Sequence, residues 1–242
     1  MNTYLKFISD DDFEECVEHV LNGYPIKRKK QEKSRQQNVV EMLKKDKNTI
    51  DEFKLLFDMF GDKYSLNEWK NAEIIRQTDK TINNYVGEFH QKVLGHVDGW
   101  IDLGIGDESK VDLKKEDNTI FIELKNKYNT TNSSSLEKLR DKLENLIEIY
   151  PNSTAYWGFI ISKNYKPICE IWTFKNRPTD ERILKASGTE IYKLVTGDPC
   201  GLKKTFESLQ IVLNEKVKDY NLSNEDKKYL QEFSNHVFLE SR

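Results

Sequence analysis

Cysteine is scarce. The chain has three, Cys16, Cys169 and Cys200, far apart and odd in number. No CxxC pair occurs, so neither a disulfide framework nor a zinc site is indicated, and buried free thiols are expected. No apolar run approaches the length of a membrane span. The first residues, Met1-Asn2-Thr3-Tyr4-Leu5-Lys6, have no apolar signal core, so a cytoplasmic protein is expected. His19, His90, His96 and His236 show no metal-ligand spacing, which leaves them as hydrogen-bonded or surface histidines. Gly87, Gly95, Gly99, Gly104 and Gly106 form no phosphate-cradling fingerprint. Repeats and low-complexity tracts are absent. Neither sign of charge dominates: 38 basic and 41 acidic residues leave a net charge of −3. That argues against nonspecific coating of nucleic acid but leaves room for a local basic surface.

What is present suffices for a packed core. Of 242 residues, 37% are hydrophobic and 11% aromatic, while 33% are charged and the mean hydropathy is −0.75. Helical spacing marks Phe13, Val17, Val20 and Leu21 behind the acidic start Asp10–Asp12, with Gly23 and Pro25 as the stop. A basic run, Lys27-Arg28-Lys29-Lys30-Gln31-Glu32-Lys33-Ser34-Arg35, suits either phosphate contact or a solvated helix start. Val39, Val40, Met42 and Leu43 suggest a second helix. Phe53, Leu56, Phe57 and Phe60 form one stripe of a third, and Leu66–Arg76 is a fourth. The first 78 residues are thus helical and carry no chemical motif.

The next helix is Thr81–Leu94, striped by Ile82, Tyr85, Val86, Phe89 and Val93, with Glu88, Gln91 and Lys92 off the stripe. Val97–Leu103 is a strand. After the polar loop Asn126–Ser135, Ser134 and Glu137 match a capping box. Leu136, Leu139, Leu143, Leu146, Ile147 and Tyr150 mark the buried face of the helix that follows, which Pro151 stops. Ala155–Ser162 is an apolar strand, and a turn near Lys163-Asn164 leads to another at Ile168–Phe174. The remainder is expected to be mainly helical, on stripes Leu202–Val217 and Leu230–Val237. The four tryptophans are expected in the core.

The chemistry lies between these elements, in Lys110–Lys125. Val111-Asp112-Leu113 and Thr119–Leu124 are β-rich, and Asp117-Asn118 suits a two-residue hairpin turn of the primed type. With that turn Glu116 pairs with Thr119, and pairing outward sets Asp112 opposite Glu123. Opposed residues share a face, with Cβ atoms roughly 4.5–5.5 Å apart. Lys125, two residues on, lies on the same face. Two carboxylates so placed repel, and a divalent cation between them removes the repulsion. Carboxylate oxygens are the ligands Mg²⁺ prefers. A lysine beside it can hold a water or stabilise charge on a phosphate. Ile120, Ile122 and Leu124 form the other, buried face. An outward-facing solvated hairpin is the plain alternative, and Phe121 on the acidic face counts against it.

The order helix, three strands, helix, strand, with Asp112 on the second strand and Glu123-Leu124-Lys125 ending the third, resembles the PD-(D/E)XK nuclease core. The string from Gly87-Glu88-Phe89-His90-Gln91-Lys92 through Glu123-Leu124-Lys125-Asn126-Lys127-Tyr128-Asn129-Thr130 looks like one branch of it. That branch comprises type II restriction endonucleases cutting GGNCC-type sites. The resemblance covers about Tyr85–Tyr150. One departure is Val111, where the superfamily name has proline, a residue without chemistry.

The resemblance implies an α/β fold: a restriction-endonuclease-like core with a central mixed sheet flanked by helices. It would be a single nuclease domain over 1–242, with a helical N-terminal region (1–78), an αβββαβ catalytic core (79–175) and a mainly helical C-terminal region (176–242). It implies Asp112 and Glu123 as ligands of Mg²⁺, with Mn²⁺ as a substitute. Lys125 would position or activate water, and Glu88 would complete the catalytic set. The activity implied is site-specific cleavage of double-stranded DNA at a GGNCC-like palindrome, leaving 5′-phosphate and 3′-hydroxyl ends. A palindrome is most simply met by a homodimer, and a cognate DNA methyltransferase in the same system is implied as well. Candidate DNA contacts are Asn126, Lys127, Asn129 and Asn132 in the loop leaving the catalytic strand, with Arg140 and Arg177 as guanine readers. The competing readings are a structure-specific repair or junction-resolving nuclease of the same fold, and a noncatalytic DNA-binding module.

Overall fold

The computed structural model describes residues 2–24, 51–104, 111–218 and 220–238. The basic run at 27–35 and the helix expected around 39–43 lie outside the described residues. So does most of the loop before Val111.

Among the described residues there are seven helices and six strands. In chain order they are α1 (Asp10–Gly23), α2 (Glu52–Gly61), α3 (Leu66–Gly95), β1 (Trp100–Asp102), β2 (Leu113–Lys115), β3 (Ile120–Lys127), α4 (Ser133–Ile149), β4 (Thr154–Ile161), β5 (Cys169–Ile171), β6 (Ile183–Ser187), α5 (Gly188–Thr196), α6 (Gly201–Lys216) and α7 (Asn224–Val237). The chain divides into two compact units, Met1–Val17 with Gly87–Arg242, and Glu18–Val86.

The first unit holds one six-stranded mixed sheet in the order β1-β2-β3-β4-β6-β5. Antiparallel pairing joins β1 to β2 and β2 to β3. β3, β4 and β6 run parallel, and β5 closes the edge antiparallel to β6. A parallel neighbour cannot be reached by a tight turn, so α4 supplies the crossover from β3 to β4. The expected order α3-β1-β2-β3-α4-β4 is therefore present, and with it the mixed α/β class.

Sheet pleat and register sort the side chains. Phe121, Glu123 and Lys125 stand beside Ala155, Trp157 and Phe159 of β4. α4 covers this face with Leu139, Leu143, Leu146 and Ile147, which join Val111, Phe121, Ala155, Trp157, Phe159, Trp172 and Ile183 in one buried cluster. On the opposite face Ile122 and Leu124 meet Gly158 and Ile191 of α5. A Cβ at Gly158 would come within 3.0 Å of Leu124 and 3.2 Å of Ile191, so glycine lets α5 lie close on the sheet. All four tryptophans are buried.

Several local expectations need correction. Leu66–Gly95 is one helix of 30 residues, not two. The polar stretch that breaks its apolar stripe contains no Gly or Pro, so nothing breaks its backbone. β6 falls in the stretch expected to be helical, and it is a strand because it pairs with β4. Asn132, not Ser134, caps α4, and its side chain accepts from Ser135 N–H. All three cysteines are free, but only Cys16 is buried; Cys169 is exposed.

The hairpin keeps its register and changes its turn. Leu113 faces Ile122 and Lys114 faces Phe121, as the sequence pairing requires. The tight turn is Lys115–Asn118, closed by Asn118 N–H to Lys115 O at 2.9 Å. Only Asn118 has positive φ, at 56°. Asp117 instead accepts from Thr119 N–H at 2.9 Å, an Asx turn that draws both residues into the loop.

The second unit is helical among its described residues. Asp51 caps α2, accepting from Phe53 and Lys54 N–H. The Trp69 indole N–H donates to Asp58 at 3.1 Å. The α2 stripe Phe53, Leu56, Phe57 and Phe60 is exposed, with Phe57 at 77%.

Candidate active site

Asp112 stands just before β2 and is held from both sides. Its N–H donates to Ile122 O at 3.1 Å, and its carbonyl accepts from Leu103 N–H at 3.0 Å. One step past the β2–β3 ladder, the carboxylate itself replaces a main-chain partner: Oδ2 accepts from Leu124 N–H at 2.6 Å. The carboxyl of Asp112 is thereby tied to the backbone flanking Glu123.

Glu123 is 6% exposed, unusual for a carboxylate without a partner. It has two. Lys125 Nζ donates to Oε1 at 2.6 Å, and Lys142 Nζ, from α4, donates to Oε2 at 2.7 Å. Burial, then the Glu123 charge, pushes the Asp112 carboxyl up to about 6, against the Leu124 N–H and the two lysines. Burial on its own would lower the Lys125 ammonium. The neighbouring Glu123 and Asp112 charges prevail and hold it above the usual lysine value.

The structure thus brings together Asp112, Glu123 and Lys125 from the sequence candidates. Glu88 is half-buried on α3, one turn before Gln91 and on the same side of the helix. Gln91 reaches the site: its side-chain amide donates to Asp102 Oδ1 at 2.6 Å and to Asp112 O at 3.4 Å. The end of α3 can pass this close because Gly95 has no Cβ, which would fall 2.5 Å from that of Asp102.

The DNA candidates divide. Asn126 is half-buried, and Lys127 and Asn129 are exposed at and beyond the end of β3. Asn132 serves as the cap of α4. Arg140 is 1% exposed. It donates to Glu144, to Trp172 O and, at 3.2 Å, to Pro178 O. Its guanidinium ties α4 to the segment after β5, and it is a core residue rather than a groove reader. Arg177 lies among Glu137, Asp141 and Glu144, with its Nη1 2.7 Å from Glu144 Oε2. Three carboxylates around one guanidinium make a surface ion cluster.

Gln91, Asp102 and Lys142 were missed as site residues. The position of Gln91 off the apolar stripe of its helix gives no sign of this contact in the sequence. Lys142 adjoins buried Leu143, so it borders the face that α4 turns to the sheet. The histidines and expected hydrogen bonds agree: His90 pairs with Tyr192 at 2.8 Å and His96 with Lys92 O at 2.8 Å.

Comparison with known proteins identifies the setting of these residues. The family model for Eco47II restriction endonuclease matches residues 5–218. The chain belongs to the Eco47II restriction endonuclease family. It is 35% identical over 225 residues to the type II restriction enzyme Sau96I of Staphylococcus aureus, covering 88% of this chain and 81% of that protein. It is also 35% identical over 237 residues to the type II restriction enzyme Eco47II of Escherichia coli, covering 92% and 94%. The protein is a type II site-specific deoxyribonuclease, an enzyme class that acts on double-stranded DNA. No helix among the described residues is long and apolar enough to cross a membrane.

Proposed function

We propose that this restriction endonuclease hydrolyses phosphodiester bonds of duplex DNA in a Mg²⁺-dependent reaction centred on Asp112, Glu123 and Lys125, leaving 5′-phosphate and 3′-hydroxyl ends. The observation that carries the proposal is the pair of carboxylates drawn together at the β2–β3 junction, one of them buried and the other raised to about 6 by burial and by its neighbour. Carboxylates gathered and perturbed in this way are a mark of functional sites, and a divalent cation is the group that both could share.

The donor set fits. Among the described residues no group of three or more His, Cys, Asp or Glu side chains is arranged to hold a metal ion. Mg²⁺ does not need one: it is commonly held by one or two carboxylates, with waters and substrate phosphate oxygens completing the shell. Asp112 and Glu123 would hold it. The bound ion would supply an acidified water and charge neutralisation at the phosphate.

The chain's own groups do the rest. Leu124 N–H fixes the Asp112 carboxylate, so its orientation does not depend on the ligand. Lys125 is held in the charged form by its neighbours. In the reaction it would position or activate the attacking water and stabilise charge on the phosphate. Gln91 fastens α3 to the Asp112 main chain, and Glu88 on the same helix is the candidate to complete the set. Asn126 and Lys127 at the end of β3, and Asn129 just beyond it, would meet DNA beside the scissile bond. The target proposed is a GGNCC-like palindrome met by a homodimer, in a system whose methyltransferase protects the same sequence.

The test is cleavage of a sequenced phage DNA with Mg²⁺. Asp112→Ala, Glu123→Ala and Lys125→Ala each lower the rate by roughly 10²-fold or more. If all three cut like wild type, the site is misassigned. Mapped ends at sites unrelated to GGNCC would overturn the target alone.

A further inference from the structure

Lys142 has no counterpart in the motif that led to the site. It comes from α4, 19 positions after Glu123, and holds the Glu123 oxygen that Lys125 leaves. Each oxygen of this buried carboxylate therefore carries an ammonium. The Glu123 charge is thereby fully compensated without a metal. A divalent cation on Glu123 would sit roughly 2.1 Å from its oxygen. It would then lie within a few ångströms of the ammonium already there, and like charges at that range repel strongly in a partly buried site.

The two lysines differ in freedom. Lys125 is carried by β3, and the pleat keeps it on the acidic face. Lys142 sits at the border of the buried stripe of α4 with its side chain 24% exposed. Its four-carbon stem can carry the ammonium out of the site without moving the helix. Lys138, one turn earlier, is exposed on the same side. An ammonium leaving Glu123 in that direction joins Lys138, and the two cations could meet DNA phosphates together.

We propose that Lys142 is a placeholder cation. It neutralises and orients Glu123 in the metal-free enzyme, yields its oxygen when the divalent ion binds, and turns to a DNA phosphate. Lys142 is thus a positioning residue for Glu123 in the free state and competes with the metal for the same carboxylate. The inference rests on the proposal that Asp112 and Glu123 are metal ligands.

The experiment is a calorimetric titration of the full-length protein with Mn²⁺ alone, without DNA, near pH 7.5. Wild type, Lys142→Met, Lys142→Arg and Asp112→Ala are compared, each first checked for folding by thermal melting. Removing the competing charge tightens Mn²⁺ binding roughly tenfold in Lys142→Met, while Lys142→Arg, which keeps the charge, stays near wild type. A residue that merely packs the site has no means of tightening metal binding when lost. Should the methionine variant not fold, Lys142→Gln removes the same charge. Unchanged or weaker Mn²⁺ binding in a folded, uncharged variant overturns the placeholder role and leaves the metal site standing. If Asp112→Ala binds Mn²⁺ as wild type does, the metal-site proposal itself fails, and this inference fails with it.

Discussion

Helices α2 and α4 carry the same kind of apolar stripe and meet opposite fates. Phe53, Leu56, Phe57 and Phe60 recur at helical spacing on α2, and none is buried. Leu139, Leu143, Leu146 and Ile147 do so on α4, and all are buried against the sheet. The periodicity decides that each segment is a helix. It does not decide what the stripe meets. α4 acquires its partner from topology: it is the crossover between two parallel strands and must lie on their face. By lying there it also closes the apolar side of the candidate active site and delivers Lys142 to Glu123.

Three substitutions break or sharpen this contrast. The largest effect is expected for Leu143→Ala, which opens a cavity in the cluster under α4 and costs about 2–5 kcal/mol, read as a lowered midpoint in denaturant. A loss below about 1 kcal/mol would mean that α4 is not packed as described.

Next is Asp112→Asn in the metal-free protein. Burial raises the folded-state carboxyl to about 6, above its ordinary value of 3.8. Between those pH values the folded state binds more protons than the unfolded state, so wild-type stability falls as pH rises through the window. The asparagine variant lacks that slope. It should be more stable than wild type by roughly 1–3 kcal/mol at pH 7.5 and equal to it below about pH 4. Equal stability at both pH values would remove the strained carboxylate pair from the account.

The smallest effect is expected for Phe57→Ser. At an exposed position it shifts stability by no more than about 0.5 kcal/mol. A loss as large as that of Leu143→Ala would show that the α2 stripe has a partner and would erase the contrast.

The same division between local and tertiary information governs what the sequence made legible. The acidic strand pair was readable because it depends on short-range facts: a polar turn, a period of two, and Glu123 and Lys125 two residues apart. Its register holds although the turn around Asp117 and Asn118 is longer than the primed form, since lengthening the loop at both ends preserves the pairing. The α3-β1-β2-β3-α4-β4 order was readable for the same reason. β6 was not: Ile183-Leu184-Lys185-Ala186-Ser187 is short, shows no alternation, and becomes a strand by pairing with β4. Arg140 illustrates the reverse error. Its type suggests guanine recognition, but two of its three acceptors lie 32 and 38 residues away, and only the folded chain brings them to it. Lys142 and Gln91 escaped notice because a lysine or glutamine beside an apolar stripe is ordinary until the helix is docked.

The central claim is that the carboxylates of Asp112 and Glu123 converge on one divalent ion. Its most direct test is a crystal of the enzyme grown with Mn²⁺ and measured for anomalous scattering. The account predicts one strong peak roughly 2.1–2.3 Å from an oxygen of each carboxylate, with Lys142 turned away from Glu123. A peak bound elsewhere, with Glu123 still held by both lysines and Asp112 facing no ion, would contradict it.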